Sequence, residues 1–202
     1  MYGKICGKYL ALYPVKEEDY PYIYKHEYDQ ETCYLWTNNR EIHDFRTFTE
    51  EFRVKLKHFY HQYFMIMDHA GSKAVGVIFS YDYHRSDGHL STTIFVDPEA
   101  QNGFIGVEAG ILFYDYLFRW FSLRKIYSRV YGYNKRCLNF LKKGGFHEEG
   151  RLREYRYYDG VFHDVHVLAI DRESFFKRAS LMKEWFGLHD DETHTKGQSG
   201  LF

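Results

Sequence analysis

The stretch from Ile105 to Trp120 constrains the fold more than any other part of the chain. Ile105, Ala109, Leu112, Phe113, Tyr116, Leu117 and Trp120 recur at the spacing of one broad apolar helical face. Just before it, His89 to Val96 (HLSTTIFV) reads as a strand ended by Asp97-Pro98. Soon after it, Lys125 to Tyr131 (KIYSRVY) reads as another strand. A strand, an apolar-faced helix and a strand in that order need a sheet with a helix packed on it.

The flanking segments extend this sheet with hairpins. Tyr9 to Tyr13 is strand-like and is broken by Pro14, and Lys16-Glu17-Glu18-Asp19 opens a helix running to about Tyr28. Residues 30–47 read as loop with short helical pieces, and Thr49 reads as the cap of a helix from about Glu50 to Tyr60. Gln62 to Asp68 and Ala74 to Tyr83 form an expected hairpin through Gly71-Ser72. Asn134 is placed to cap a helix carrying Leu138 and Leu141 that stops at Gly144-Gly145. Phe146 to Tyr158 and Val161 to Ile170 form a second hairpin through Asp159-Gly160. Glu173 to about Phe186 is a last helix, within a C-terminal helical region of about 172–186, and residues 189–202 read as a frayed polar tail. The order predicts an α/β chain: a mixed, mostly antiparallel twisted sheet of about seven strands, helices on both faces, and one domain over residues 1–188.

Composition narrows the function classes. A chain of 202 residues with 45% apolar residues can bury a full core, which excludes wholesale disorder. Lys plus Arg number 27 against 28 Asp plus Glu, so the basic excess of a nucleic-acid binder is missing. No apolar run reaches the roughly 20 residues of a membrane span, and Met1 to Leu10 lacks the apolar stretch of a signal peptide. Cys6, Cys33 and Cys137 form neither a disulfide framework nor a CxxC pair, so a cytoplasmic location is expected, and the lack of a long apolar run leads to the expectation of no membrane partner. His58-x-x-His61 and His163-x-x-His166 lack carboxylates in register, and no metal is expected there.

The segment Val96-Asp97-Pro98-Glu99-Ala100-Gln101-Asn102-Gly103-Phe104-Ile105-Gly106 leads from a strand into the long helix. Glycines at a helix N-terminus expose backbone N–H groups, which suits a phosphate. Neither a Walker loop nor a Rossmann fingerprint is present, and an ordinary strand-to-helix turn is the alternative.

The stretch VDPEAQNGFIGVEA, followed by Asn134, Gly145-Phe146, Glu149-Gly150 and Asp159-Gly160, resembles the GCN5-related N-acetyltransferase superfamily over about residues 8 to 170. It is more similar to the branch of ribosomal-protein N-terminal, polyamine and amino-sugar acetyltransferases. The resemblance implies a V-splayed sheet with acetyl-CoA as cosubstrate in the splay. It implies that Gln101, Asn102, Gly103, Phe104, Ile105 and Gly106 lie on the pyrophosphate, that Phe95 and Val96 meet the pantetheine arm, and that Asn134 lies near the thioester. Phe104 stands where relatives carry a glycine; it disfavours positive φ, its ring threatens to crowd the phosphates, and Gly103 beside it offers the flexibility. Leu141 stands where many relatives carry an acid tyrosine, and Cys137 where the ribosomal branch carries a serine.

Attack on a thioester needs a neutral amine. A lysine-like amine of pKa ~10.4 is almost wholly protonated at neutral pH, whereas an α-amine of pKa ~7.7 is not. No conspicuous base stands out, which tilts the expected acceptor toward a low-pKa amine, an α-amino group or an amino sugar. Glu154 is the first candidate and His89 the second, each with a solvated-face alternative; Cys137 is the candidate acid, with a small core residue as its alternative. The expectation is an N-acetyltransferase acting by direct attack on a small-molecule primary amine, an amino sugar or a protein N-terminus. The rival is a non-catalytic binding module whose cradle Phe104 has closed. Tyr20-Pro21-Tyr22-Ile23-Tyr24 and Tyr28 are candidates for a substrate wall, Glu17-Glu18-Asp19 for a polyamine contact, and Trp185-Phe186 for docking on the core or in a homodimer.

Overall fold

In the computed structural model, residues 3–37, 41–100 and 104–186 are described, with side chains as far as residue 180. Eight strands form one sheet: β1 (Ile5–Cys6), β2 (Leu10–Pro14), β3 (Tyr63–Asp68), β4 (Ala74–His84), β5 (His89–Val96), β6 (Lys125–Tyr131), β7 (His147–Tyr158) and β8 (Val161–Asp171). Their order is β1-β2-β3-β4-β5-β6-β8-β7. Among the described strands only β5 and β6 pair in parallel, as the helical crossover between them demands. The strand beyond the expected seven is β1, which pairs Ile5 with Leu12 and Cys6 with Ala11 at the sheet edge. Two residues are too short to show a period in sequence.

Alternation along the strands divides the molecule into two cores. Leu10, Leu12, Phe64, Ile66, Ile78, Leu90 and Ile126 bury against α3 (Ile105–Trp120), where Phe113, Leu117 and Phe118 are fully buried. On the other face Met65 meets Tyr20 and Ile23 of α1 (Tyr20–Tyr28) and Phe48 and Phe52 of α2 (Phe45–Leu56). The two remaining helices are α4 (Lys135–Lys143) and α5 (Arg172–Phe186).

The start of α2 differs from the Thr49 expectation. Asp44 is the cap, its Oδ1 accepting the Thr47 N–H at 2.9 Å. The Thr49 hydroxyl instead donates to the Phe45 carbonyl at 2.7 Å, the back-bond of a residue already inside a helix. The tyrosines of the α1 run pack into this second core, while Ile23 also lines the cavity between the strands. Tyr20 meets Phe52 edge-on at 5.0 Å, and Tyr24 packs on Phe45 and Phe48 while its hydroxyl donates to the His43 carbonyl. Glu17 of the acidic run pairs with Arg53 of α2 at 2.9 Å, while Glu18 and Asp19 meet Lys16. Residues 189–202 and the side chains of Trp185 and Phe186 lie outside what is described.

Glu108 anchors α3 to the sheet edge. Its fully buried carboxylate accepts the N–H groups of Lys8 and Tyr9. Burial raises its pKa, and the two N–H groups work against that shift.

Candidate active site

The site begins where β5 and β6 part. They pair at His89↔Lys125, Leu90↔Ile126 and Ser91↔Tyr127, and no further pair follows. Beyond that point β5 keeps its pairing with β4 as far as Val96, and β6 keeps its pairing with β8 as far as Tyr131. Hydroxyls finish the contact: Thr92 Oγ1 donates to the Tyr127 carbonyl at 3.4 Å, and Ser128 Oγ to the Thr92 carbonyl at 3.5 Å. The loop that carries Tyr34 to Thr37 is braced across the opening. The Tyr133 hydroxyl donates to the Tyr34 carbonyl at 2.7 Å, Tyr131 to Thr37 at 3.3 Å, and Asn134 Nδ2 to Leu35 at 3.4 Å.

The opening is a cavity of about 940 Å³ that reaches both faces of the sheet. On the α3 side it is lined by Val96, Ile105, Gly106, Asn134, Cys137 and Phe140. On the α1 side it is lined by Glu27, Trp36, His61, Tyr63, Phe79 and Phe95. Strand alternation accounts for this division: Ile94 and Val96 pack toward α3, while Phe95 between them meets His26 at 5.0 Å and Trp36 at 4.9 Å.

The α3 end is electropositive by construction. The first intrahelical bond of α3 runs from the Glu108 N–H to the Phe104 carbonyl, so the amides of its first turn lie outside the helical ladder. Lys135 and Arg136 occupy the first turn of α4 and also line the cavity. Basic residues at a helix's positive end work against its dipole, so their placement there favours an anion rather than the helix. At the α1 end the lining includes Glu27 and Glu31 among aromatic residues, with Lys55 and Arg129 also present. Tyr63 stacks on Phe79 at 4.5 Å, and burial together with the nearby Glu27 charge raises its pKa far above the ordinary value. The His61 ring is half-buried, and burial, His58 and Lys55 all lower its pKa. Its Nδ1 is buried without a hydrogen-bond partner.

The residues singled out in the sequence divide accordingly. Phe95, Val96, Ile105, Gly106, Asn134 and Cys137 are brought together around the cavity. Gln101, Asn102 and Gly103 lie outside the described residues. Phe104 caps α3 with φ −97°, so it needs no left-handed backbone, and its ring lies 6.4 Å from Tyr9, outside the cavity lining. Asn134 caps α4, its Oδ1 accepting the Cys137 N–H at 3.1 Å. Burial pushes the Cys137 thiol up to about 11.

Glu154 is exposed, outside the cavity lining, at φ +50° in an irregular stretch of β7 where the Asp164 carboxylate accepts its N–H at 2.7 Å. The register shift between Leu152 and Arg156 places the neighbouring Tyr155 at the cavity and buries Arg156 over the Tyr131 ring. His89 lies in the closed, paired part of β5. Glu27 and His61 are the site residues that sequence reading missed. Glu27 carried no motif, and His61 was weighed only as a metal ligand.

This fold agrees with what known proteins show. Residues 10–147 match the family model of the acetyltransferase (GNAT) domain, and the chain belongs to that family of acetyltransferases. It is 30% identical over 123 residues to the probable N-acetyltransferase YjcK of Bacillus subtilis (strain 168), an alignment covering 59% of this chain and 67% of that protein. Among solved structures, spermidine N-acetyltransferase from Vibrio cholerae in complex with CoA and spermine superposes with a TM-score of 0.77. That match has 21% identity and covers 83% of this chain and 98% of that one. The dodecameric structure of spermidine N-acetyltransferase from Vibrio cholerae in its intermediate state gives a TM-score of 0.74 at 20% identity, covering 84% and 97%.

Proposed function

We propose that this chain transfers the acetyl group of acetyl-CoA to a primary amine of a small, polycationic acceptor of the polyamine class. The observation that carries the reading is one continuous cavity through the sheet, with two helix N-termini, Lys135 and Arg136 at one face, and Glu27 and Glu31 among aromatic rings, with Lys55 and Arg129 beside them, at the other. A diphosphate suits the first end and an ammonium chain the second. The family's cosubstrate and the spermine bound by a structural neighbour support the same assignment.

In this reading the parted strands orient the thioester, and the acceptor nitrogen reaches it from the α1 face. An N–C bond forms to the acetyl carbon, the C–S bond breaks, and the thiolate of CoA leaves. A polyamine nitrogen arrives protonated, so a base is needed. The neutral minority of the amine attacks, and we assign His61 the proton that the nitrogen sheds once its bond to the acetyl carbon makes it acidic, because burial keeps the ring neutral at pH 7 and it lines the acceptor end. Cys137 serves as wall rather than acid. A thiol at about 11 protonates a thiolate of ordinary pKa ~8.5 only uphill.

The test is thiol release from acetyl-CoA across a panel of spermidine, glucosamine and a peptide with a free N-terminus. Spermidine should react fastest, and Glu27→Gln should raise its KM about 10- to 100-fold with a smaller change in kcat. Preference for the peptide or the sugar, or an unchanged KM in the variant, overturns the assignment of acceptor.

A further inference from the structure

Outside the cavity lining, the end of the β4–β5 hairpin assembles a second constellation. One donor atom each from His84, Asp87 and His89 lies within 4.8 Å of the other two, and none of these residues lines the cavity. His84 and His89 are directly opposed across the two strands, with ring centroids 4.6 Å apart. His84 Nδ1 lies 3.9 Å from the Asp87 carboxylate.

The backbone beneath these side chains is pinned. Gly88 turns the chain at φ +64°, and its N–H donates to the His84 carbonyl at 2.8 Å. The carbonyl of Gly88 accepts the N–H groups of Arg124 (2.7 Å) and Lys125 (3.2 Å), and the carbonyl of Asp87 accepts Arg124 Nε at 2.8 Å. The three side chains therefore project from a hairpin end, two strand residues and one loop residue, that is fixed to the start of β6. Their Cα positions do not need to move for the donor atoms to converge.

We propose that His84, Asp87 and His89 form a binding site for a divalent first-row transition-metal ion of the Zn2+ type. Two imidazoles and one carboxylate are a borderline donor set that suits zinc and its neighbours rather than calcium or magnesium. Donors at about 2.0–2.2 Å from one tetrahedral ion stand roughly 3.4 Å apart. The exposed side chains of His84 and Asp87 therefore need only a small rotation to close the set. Water completes the coordination. Two nearby cations limit the affinity to the micromolar range: the Arg124 guanidinium, and the Lys125 ammonium, which is itself paired with Glu149. The ion ties the hairpin tip together at the closed end of the β5–β6 pair, and it takes no part in acetyl transfer.

The test is a Zn2+ titration of the full chain against a chromophoric chelator at neutral pH, with Co2+ as a spectroscopic probe. One ion should bind per chain at micromolar concentration, and Co2+ should show the visible bands of a tetrahedral site. His84→Ala and Asp87→Asn change exposed residues, and an unaltered metal-free Tm verifies their fold. Each should weaken binding at least about tenfold, whereas His58→Gln should not. The chain holds 12 histidines, so binding that survives both variants is scattered surface binding and overturns the site. Failure of Zn2+ to bind at micromolar concentration overturns it equally.

Discussion

At the residue scale the account turns on small spaces and single charges. A Cβ built on Gly106 would meet Phe140 and Val96 no closer than 3.8 Å, so a small side chain fits the fold. It would extend into the end of the cavity assigned to the phosphates. Gly106→Ala should therefore leave the unfolding free energy within about 1 kcal/mol of the parent's, yet weaken acetyl-CoA binding at least tenfold by calorimetry. Equal affinity in the two proteins would move the diphosphate elsewhere.

His61 gives a pH signature. Its pKa is lowered in the folded chain, so the proton-accepting form dominates above the ordinary value near 6.5. With saturating spermidine, kcat should fall on acidification only below about pH 6.5, and His61→Gln should lower kcat and remove that limb. A limb that persists in the variant assigns the base to another group. These two residues show the limits of sequence reading. Gly106 was legible because a glycine at a helix start has few explanations. His61 was not, because its role depends on the α1-side cavity that the folded chain assembles around it.

At the element scale, most segments declared themselves through period and punctuation. The α3 stripe, the Asp159-Gly160 hairpin and the Asn134 cap all agree with the structure, because each is set by neighbours in sequence. The α2 start was misplaced because Asp44 and Thr49 both have capping chemistry, and only packing against α1 decides between them. The bulge in β7 was illegible for a related reason: its unpaired residues follow from the Asp164 carboxylate on the facing strand. Asn134 combines two jobs, capping α4 and holding the Leu35 carbonyl across the opening. Asn134→Ala should cost about 0.5–2 kcal/mol in urea unfolding and also lower acetyl-transfer activity. Asn134→Ser, which restores a cap but cannot span to Leu35, should recover stability and not full activity. Recovery of both together would reduce the residue to a cap.

At the scale of the whole molecule, the carboxylates set the response to acid. Asp44, Asp68, Asp164 and Asp171 are each held below the usual carboxylate range, chiefly by backbone N–H groups of Thr47, Lys73, Glu154 and Ser174 respectively. A native pKa below the unfolded one means that the unfolded chain binds protons first as pH falls. Their contribution is complete above about pH 4 and is lost as pH drops through the native values. Buried His26, whose pKa burial lowers, begins an earlier loss below about pH 6.5. Glu108 runs the other way, since its raised pKa favours the folded state in acid. The urea midpoint should therefore decline slightly from pH 7 to 5 and steeply below pH 4. A midpoint that rises toward pH 3 would show that raised groups such as Glu108 dominate.

The sheet parted between β5 and β6 is the feature on which the functional reading depends, and ligand-linked stability addresses it directly. Acetyl-CoA at about 100 times its dissociation constant should stabilise the chain by about 2.7 kcal/mol, seen as a rise in Tm. Desulfo-CoA should give a comparable rise, because it keeps the diphosphate and pantetheine arm. No shift with either ligand at millimolar concentration would contradict the account.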